Sequence, residues 1–282
     1  MYRELLQGRH LILLSLLASF AAVSAILITP ALPSFVTFFG ISEGCSLLIL
    51  SIYLFGFAFG VLYHSILANR FGRRSALLSG LSFSIISCIL VLCNDLPDQF
   101  FLFCLFRFMQ GVGASCGFII TLHMIGDTGE KGIPHAGFSL IQMFVVMIGL
   151  ATFLGGLLTT YWEWESCYIF LTSYNAVLFF LSFLLPETLM HRSERTISHT
   201  LRVYKKQFQD SFLLLHACLA GLSISILYLF VGLAPFTAIN ELGLHPLSYG
   251  LYSLIPYLGL SLGFYAWMRY AKKQLPRLSM LS

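Results

Sequence analysis

The chain has 282 residues, of which 58% are hydrophobic and only 10% charged, against roughly 45–50% and about 25% in soluble domains. Sixteen basic and twelve acidic residues are too few to cover a soluble surface of this size, so an integral membrane protein remains and disorder, collagen, coiled coil and a secreted disulfide scaffold are excluded. The net charge of +4 sits in short clusters between apolar runs, which fits orientation in a bilayer rather than nucleic-acid binding.

A bilayer core takes about 20 apolar residues per helix, and eight stretches qualify. In chain order they are Leu11–Thr29, Leu47–Leu67, Ser75–Cys93, Phe100–Thr121, Phe138–Leu158, Tyr168–Leu185, Phe212–Ala234 and Tyr249–Met268. Arg3 and Arg9 before the first run imitate a secretory signal, but seven further spans make it the first transmembrane helix. Pro30 and Pro33 are expected to close span one, and Pro256 to kink span eight. The expected fold is an all-α polytopic membrane protein. Residues 1–186 form a six-helix N-terminal bundle, 187–210 a polar, basic connection, and 211–282 two helices of an incomplete second bundle with a short basic tail from Arg269. Glycines four residues apart (Gly56 and Gly60, Gly113 and Gly117, Gly259 and Gly263) mark faces where helix backbones approach closely in lipid.

Charge follows an alternating rule. Basic residues lie at the N-terminus, in the 2–3 loop (Arg70, Arg73, Arg74), the 4–5 loop (Lys131), the 6–7 connection (Arg192, Arg195, Arg202, Lys205, Lys206) and the tail. The alternate loops, with Glu43, Asp95, Asp98, Glu163, Glu165 and Glu241, hold none. Both termini are therefore expected in the cytoplasm, an arrangement that a seven-helix receptor does not have. The seven cysteines form no CxxC pair and read as unpaired core thiols. No paired carboxylates, metal-ligand cluster, nucleophile–base spacing or phosphate loop occurs, and Gly111-Val-Gly113 is too short for a dinucleotide fingerprint, so neither an enzyme nor a cofactor is expected.

Two segments carry the chemistry. The turn Asn69-Arg70-Phe71-Gly72-Arg73-Arg74 combines a glycine free to take positive φ with three guanidinium groups, read on topology alone as an orientation anchor. Arg107, the one basic residue inside a span, must snorkel to an interface or face a polar cavity; Gln110, one turn away on the same face, favours the cavity.

The spelling of these segments resembles the major facilitator superfamily. Arg70, Gly72, Arg73 and Arg74 match its loop signature Gly-x-Leu-x-Asp-Arg-x-Gly-Arg-Arg, with Asn69 in place of the Asp and Ser65 in place of the Gly. Arg107-Phe-Met-Gln110-Gly111-Val-Gly113-Ala114 is similar to its Arg-x-x-Gln-Gly-x-Gly-Ala segment. Gly149-Leu-Ala151-Thr152-Phe-Leu-Gly155-Gly156 resembles its antiporter signature, with Ala151-Thr152 where Gly-Pro is usual. Ile28-Thr-Pro30-Ala31-Leu32-Pro33, Tyr161-Trp162-Glu163-Trp164 and Leu185-Pro186-Glu187-Thr188 resemble landmarks of the bicyclomycin-resistance (Bcr/CflA-type) drug:proton antiporters.

That resemblance implies proton-coupled efflux of small, drug-like, mostly apolar or cationic compounds across a bacterial inner membrane. Arg107 and Gln110 would lie in a substrate cavity, Asn69, Arg70, Gly72, Arg73 and Arg74 in a gating loop, and Gly111, Gly113, Gly149, Gly155 and Gly156 at helix crossings. Two departures bear on activity. Ile26 stands where the subgroup has an Asp, and no span holds an Asp or Glu. His64 and His216 are the titratable alternatives, and each reads first as a packed or interface histidine. Further, the superfamily places substrate between two six-helix bundles, whereas eight helices supply one bundle and a third of another. Transport then calls for helices from a partner chain or a second copy, or the chain has lost it. The alternative reading is a non-transporting membrane protein that binds a partner chain or lipid through its basic loops.

Overall fold

In hydrocarbon every backbone N–H and C=O must find a partner within the segment, so the long apolar runs fold as helices. The computed structural model describes residues 8–94, 96–128, 133–189, 202 and 204–278. Arg3, Asp95, Lys131, Arg192, Arg195 and most of the 187–210 connection lie outside the described residues. The α-helices are α1 (Gly8–Ile26), α2 (Leu32–Phe39), α3 (Glu43–Ser46), α4 (Leu48–Phe71), α5 (Arg73–Leu92), α6 (Phe100–Gly126), α7 (Ile133–Trp162), α8 (Glu165–Ser182), α9 (Ser211–Phe236) and α10 (Pro246–Leu278), and no strand occurs among the described residues.

Among the described residues, six helical segments are long and apolar enough to cross a membrane: His10–Phe39, Glu43–Phe71, Arg73–Leu92, Pro97–Gly126, Gln142–Trp162 and Ser211–Glu241. Two of the eight expected spans, α8 and α10, are not among them. Asn175 and several serines and tyrosines dilute α8, and α10 is rich in tyrosine, serine and glycine. Both pack along helices that do qualify, α8 against α5 and α10 against α7. The protein is thus an all-α polytopic membrane protein with a six-helix N-terminal bundle followed by two further helices.

Two expectations about element ends are corrected. Span one does not close at Pro30 and Pro33 but runs on through a 3-10 turn (Thr29–Ala31) and α2 to Phe39, where Gly40 caps it at φ +61°. Each proline sits in the first turn of its new helical segment, where the missing N–H would have lacked a helical partner anyway. Pro256 lies inside α10, as expected, and the segment after Arg269 continues that helix to Leu278 rather than forming a separate tail. In α9, Pro235 is followed by a π-helical turn over Thr237–Glu241.

Glycine sets how the bundle closes. A Cβ on Gly56 would strike the Phe108 carbonyl, and one on Gly111 the Tyr53 carbonyl, so α4 and α6 cross backbone to backbone. Gly113 lies against Gly80 and Ser84 of α5, and Gly117 against the Leu17 carbonyl of α1. Helix α6 is therefore the centre of the bundle. Gly259 and Gly263 do not behave as expected: nothing lies within 4 Å of a Cβ on either. Their spacing permits a close approach but supplies no neighbour. The cysteines are all free, as expected, but Cys45, Cys93 and Cys218 are exposed rather than in the core.

Candidate functional site

At the turn between α4 and α5 the chain reverses through Gly72, whose φ of +107° is open to glycine alone at low cost. Helix α5 then begins with no capping side chain of its own, leaving its first N–H groups without helical acceptors. Glu187, beyond the end of α8, supplies them. Its Oε1 accepts from the backbone N–H of Arg73 (2.8 Å) and its Oε2 from that of Arg74 (3.1 Å). A Cβ on Gly72 would run into this carboxylate, a second reason for glycine there. Negative charge at a helix N-terminus is favourable.

The Arg73 side chain turns the other way. Nε and Nη2 donate as a fork to Asp127 at the end of α6 (3.1 and 3.3 Å), and Nη1 donates to Asn69 Oδ1 at 2.7 Å. Thr188 Oγ1 donates to Asp127 Oδ2 at 2.6 Å. One buried guanidinium thus ties the ends of α4, α5 and α6 to the segment after α8, and its pairing with Asp127 is the one ion pair among the described residues. Of the five residues expected in a gating loop, Asn69, Gly72 and Arg73 join this cluster. Arg70 is exposed over the Phe71 ring (5.6 Å), and Arg74 contributes its backbone N–H while its guanidinium lies over Phe183 (5.3 Å).

Nearer the middle of the bundle, Arg107 and Gln110 are both 0% exposed. Arg107 therefore does not snorkel, and in this conformation neither side chain reaches solvent. The guanidinium donates from Nε to the Ile49 carbonyl (3.4 Å) and from Nη1 to the Ser24 carbonyl (3.3 Å) and Gln110 Oε1 (2.5 Å), while lying 4.6 Å from the Tyr53 ring centroid. Gln110 Nε2 passes the network to Cys88 Sγ at 3.1 Å. Four helices converge here, α1, α4, α5 and α6. With 20 residues of α6 between Arg107 and Asp127, the two clusters lie about 30 Å apart along one rod.

The remaining predicted glycines map the contacts of α7. Gly155 faces the Leu27 carbonyl and Pro30 of the first span, whereas the adjacent Gly156 faces the Pro246 carbonyl and Gly250 of α10. Gly149 meets Tyr257, also on α10. Without the usual proline, Thr152 keeps the helix regular, its hydroxyl donating to the Ile148 carbonyl at 3.1 Å. Gln142 also donates to Ser261 across this seam.

His64 is packed in the bundle. Ser115 gives its hydroxyl proton to the Val112 carbonyl (2.7 Å), so the His64 Nδ1–H is the donor shared between the Gly60 carbonyl (3.0 Å) and Ser115 Oγ (3.1 Å). His216 is exposed on α9 and bonds only within its own turn, to the Phe212 carbonyl. Sequence reasoning missed Asp127, Tyr53 and Cys88 as partners, and read Glu187 and Thr188 only as a landmark. The available signal was Asp127 itself, the first acidic residue after span four, on the side where the basic residues collect.

Fold and clusters together define a class: a multi-pass α-helical membrane protein built like a transporter, with a charged latch at one helix turn and a buried arginine in the bundle. The model of the Major Facilitator Superfamily matches residues 14–282, and the chain belongs to that superfamily, whose members are transporters rather than enzymes. It is 29% identical to an uncharacterized transporter of Rickettsia bellii (strain RML369-C), covering 88% of this chain and 61% of that protein. It is 28% identical to Multidrug resistance protein D of Escherichia coli (strain K12), covering 81% and 55%. Among solved structures, a D-xylose-proton symporter superposes with a TM-score of 0.64 at 17% identity, over 95% of this chain and 68% of that one, a likeness of fold. The chain spans little more than half the length of these curated relatives.

Proposed function

We propose that the chain works as part of an efflux carrier for small, drug-like compounds in a cytoplasmic membrane, with both termini inside and the chain divided at residues 187–210. The observation that carries this reading is the latch at the α4–α5 turn, where Arg73 holds Asn69, Asp127 and, through the backbone, Glu187. A charged cluster that binds helix ends to the start of the interbundle connection is placed to open and close when one bundle rocks against the other. The multidrug-resistance relative supports the choice of cargo, and the basic loops of the alternating pattern support the orientation. Arg107 and Gln110 form the polar end of the cargo site. Proton coupling falls to His64, a buried histidine on α4, since the carboxylates of the described spans, Glu43, Asp98 and Glu241, lie only at span ends.

The reading is tested in bacteria stripped of their own efflux pumps and expressing this chain, with membrane insertion confirmed. Uncoupler-sensitive exclusion of a fluorescent dye that Arg107→Ala abolishes is the expected result. Dye levels equal to empty-vector cells, at matched membrane expression, would overturn it.

A further inference from the structure

A guanidinium carries five N–H donors. In Arg107 the Nε–H and the two on Nη1 are used, on two backbone carbonyls and Gln110. Both on Nη2 are buried and have no partner. The Tyr168 hydroxyl, on a buried α8 residue whose ring centroid lies 6.0 Å from that of Phe103, one turn before Arg107 on α6, also has no partner. No acidic side chain pairs with Arg107 among the described residues. An uncompensated charge away from water is expensive, and the carbonyls, the amide and the Tyr53 face return only part of that cost. Two free N–H groups on one planar nitrogen and an unspent hydroxyl are donors awaiting an acceptor, and carboxylates are the natural partner of such a fork.

We propose that Arg107 is an anion site: it receives the carboxylate, or equivalent single negative charge, of the transported compound, with Nη2 and the Tyr168 hydroxyl as donors. The body of the ligand then lies towards the aromatic cluster of Phe103, Trp164 and Tyr168, whose ring centroids are 6.0–6.1 Å apart. This rests on the carrier reading for its biological meaning and narrows it, because a cationic cargo meets only like charge here. Arg107 is closed to solvent in this conformation, so the ligand enters when the bundle opens.

The test is binding, measured without transport. The purified full chain in lipid nanodiscs and chloride-free buffer is melted while its tryptophan fluorescence is followed, with benzoate, benzamide, benzylamine or chloride added. Benzoate is expected to raise the midpoint in a concentration-dependent way, with benzamide and benzylamine at least tenfold less effective. Tyr168→Phe, which deletes a hydroxyl with no partner and so spares the fold, should weaken the benzoate effect several-fold. Arg107→Gln should abolish it, and Arg107→Lys should retain part of it. Chloride as effective as benzoate supports a site for the charge alone; chloride without effect supports an organic acid. Equal shifts from benzoate and benzamide, or a full benzoate shift in both Arg107→Gln and Tyr168→Phe, would overturn the proposal. Benzoate binding without dye exclusion breaks the carrier reading and leaves the anion site standing; dye exclusion without benzoate binding does the reverse.

Discussion

The first span and the seventh are similar in apolarity, yet the bundle treats them differently. Their most apolar stretches have mean hydropathies of 2.7 and 2.2, but 83% of one is buried inside the protein and 11% of the other. In lipid, hydrophobicity does not decide which helix goes inside, because hydrocarbon is as good a neighbour as leucine. What separates the two regions is the presence of small residues facing a backbone and of polar groups that must be matched. The N-terminal bundle has both, in Gly56, Gly111, Gly113 and Gly117 and in the Arg107 and Arg73 networks. Of α9, only Val231, Gly232, Pro235 and Phe236 are buried, close to the first span, and Gly259 and Gly263 of α10 meet nothing. Helix α7 links the regions, turning Gly155 to one and Gly156 to the other.

The comparison can be broken most severely at Gly155. Gly155→Leu drives a side chain into the Leu27 carbonyl and Pro30, at more than the about 1–3 kcal/mol of ordinary overpacking. Monodisperse protein should be lost on size-exclusion chromatography, whereas Gly259→Leu should elute as wild type; equal behaviour of the two would refute the contrast.

A smaller effect is expected at the latch. Arg73→Ala leaves Asp127, whose side chain is 25% exposed, with only the Thr188 hydroxyl. Breaking a fully buried pair costs about 3–5 kcal/mol, so about 2 kcal/mol is expected here, read as a drop in melting temperature. Arg73→Lys should recover less than half, because a single ammonium cannot make the fork.

Glu187→Gln keeps an acceptor at the α5 N-terminus but removes its charge. It should cost about 0.3–1 kcal/mol, fading as salt is raised. Asn69→Asp works in the opposite sense, adding a second carboxylate to Arg73 for up to about 1 kcal/mol, and should slow dye efflux if the latch opens in each cycle. Least of all, Gly259→Ala should gain roughly 0.5 kcal/mol of helix stability with no steric penalty, a small rise in melting temperature that Gly56→Ala would reverse.

Much of this was legible in the residues. Apolar run length located eight helices, because a bilayer offers backbone groups no other partner. The spacing of Arg107 and Gln110 put them on one face, and the Gly72 turn and its arginines stood out through chain chemistry alone. Contacts between distant segments were not legible. Neither Asp127 nor Glu187 lies near Arg73 in the sequence, and which of three arginines enters the latch depends on which way each leaves the turn. The prolines at 30 and 33 read as stops because local propensity cannot tell a proline that ends one helix from one that begins the next. Likewise, two glycine pairs at one spacing found neighbours and a third did not.

Composition and apolar run length therefore settle the helical, membrane-spanning class and the residue types available for chemistry, since these follow from solvent and backbone alone. The tertiary structure decides which glycines become crossings, which arginine is locked, and that Arg107 stays buried with two donors unspent, because each depends on the relative placement of helices that no local pattern encodes.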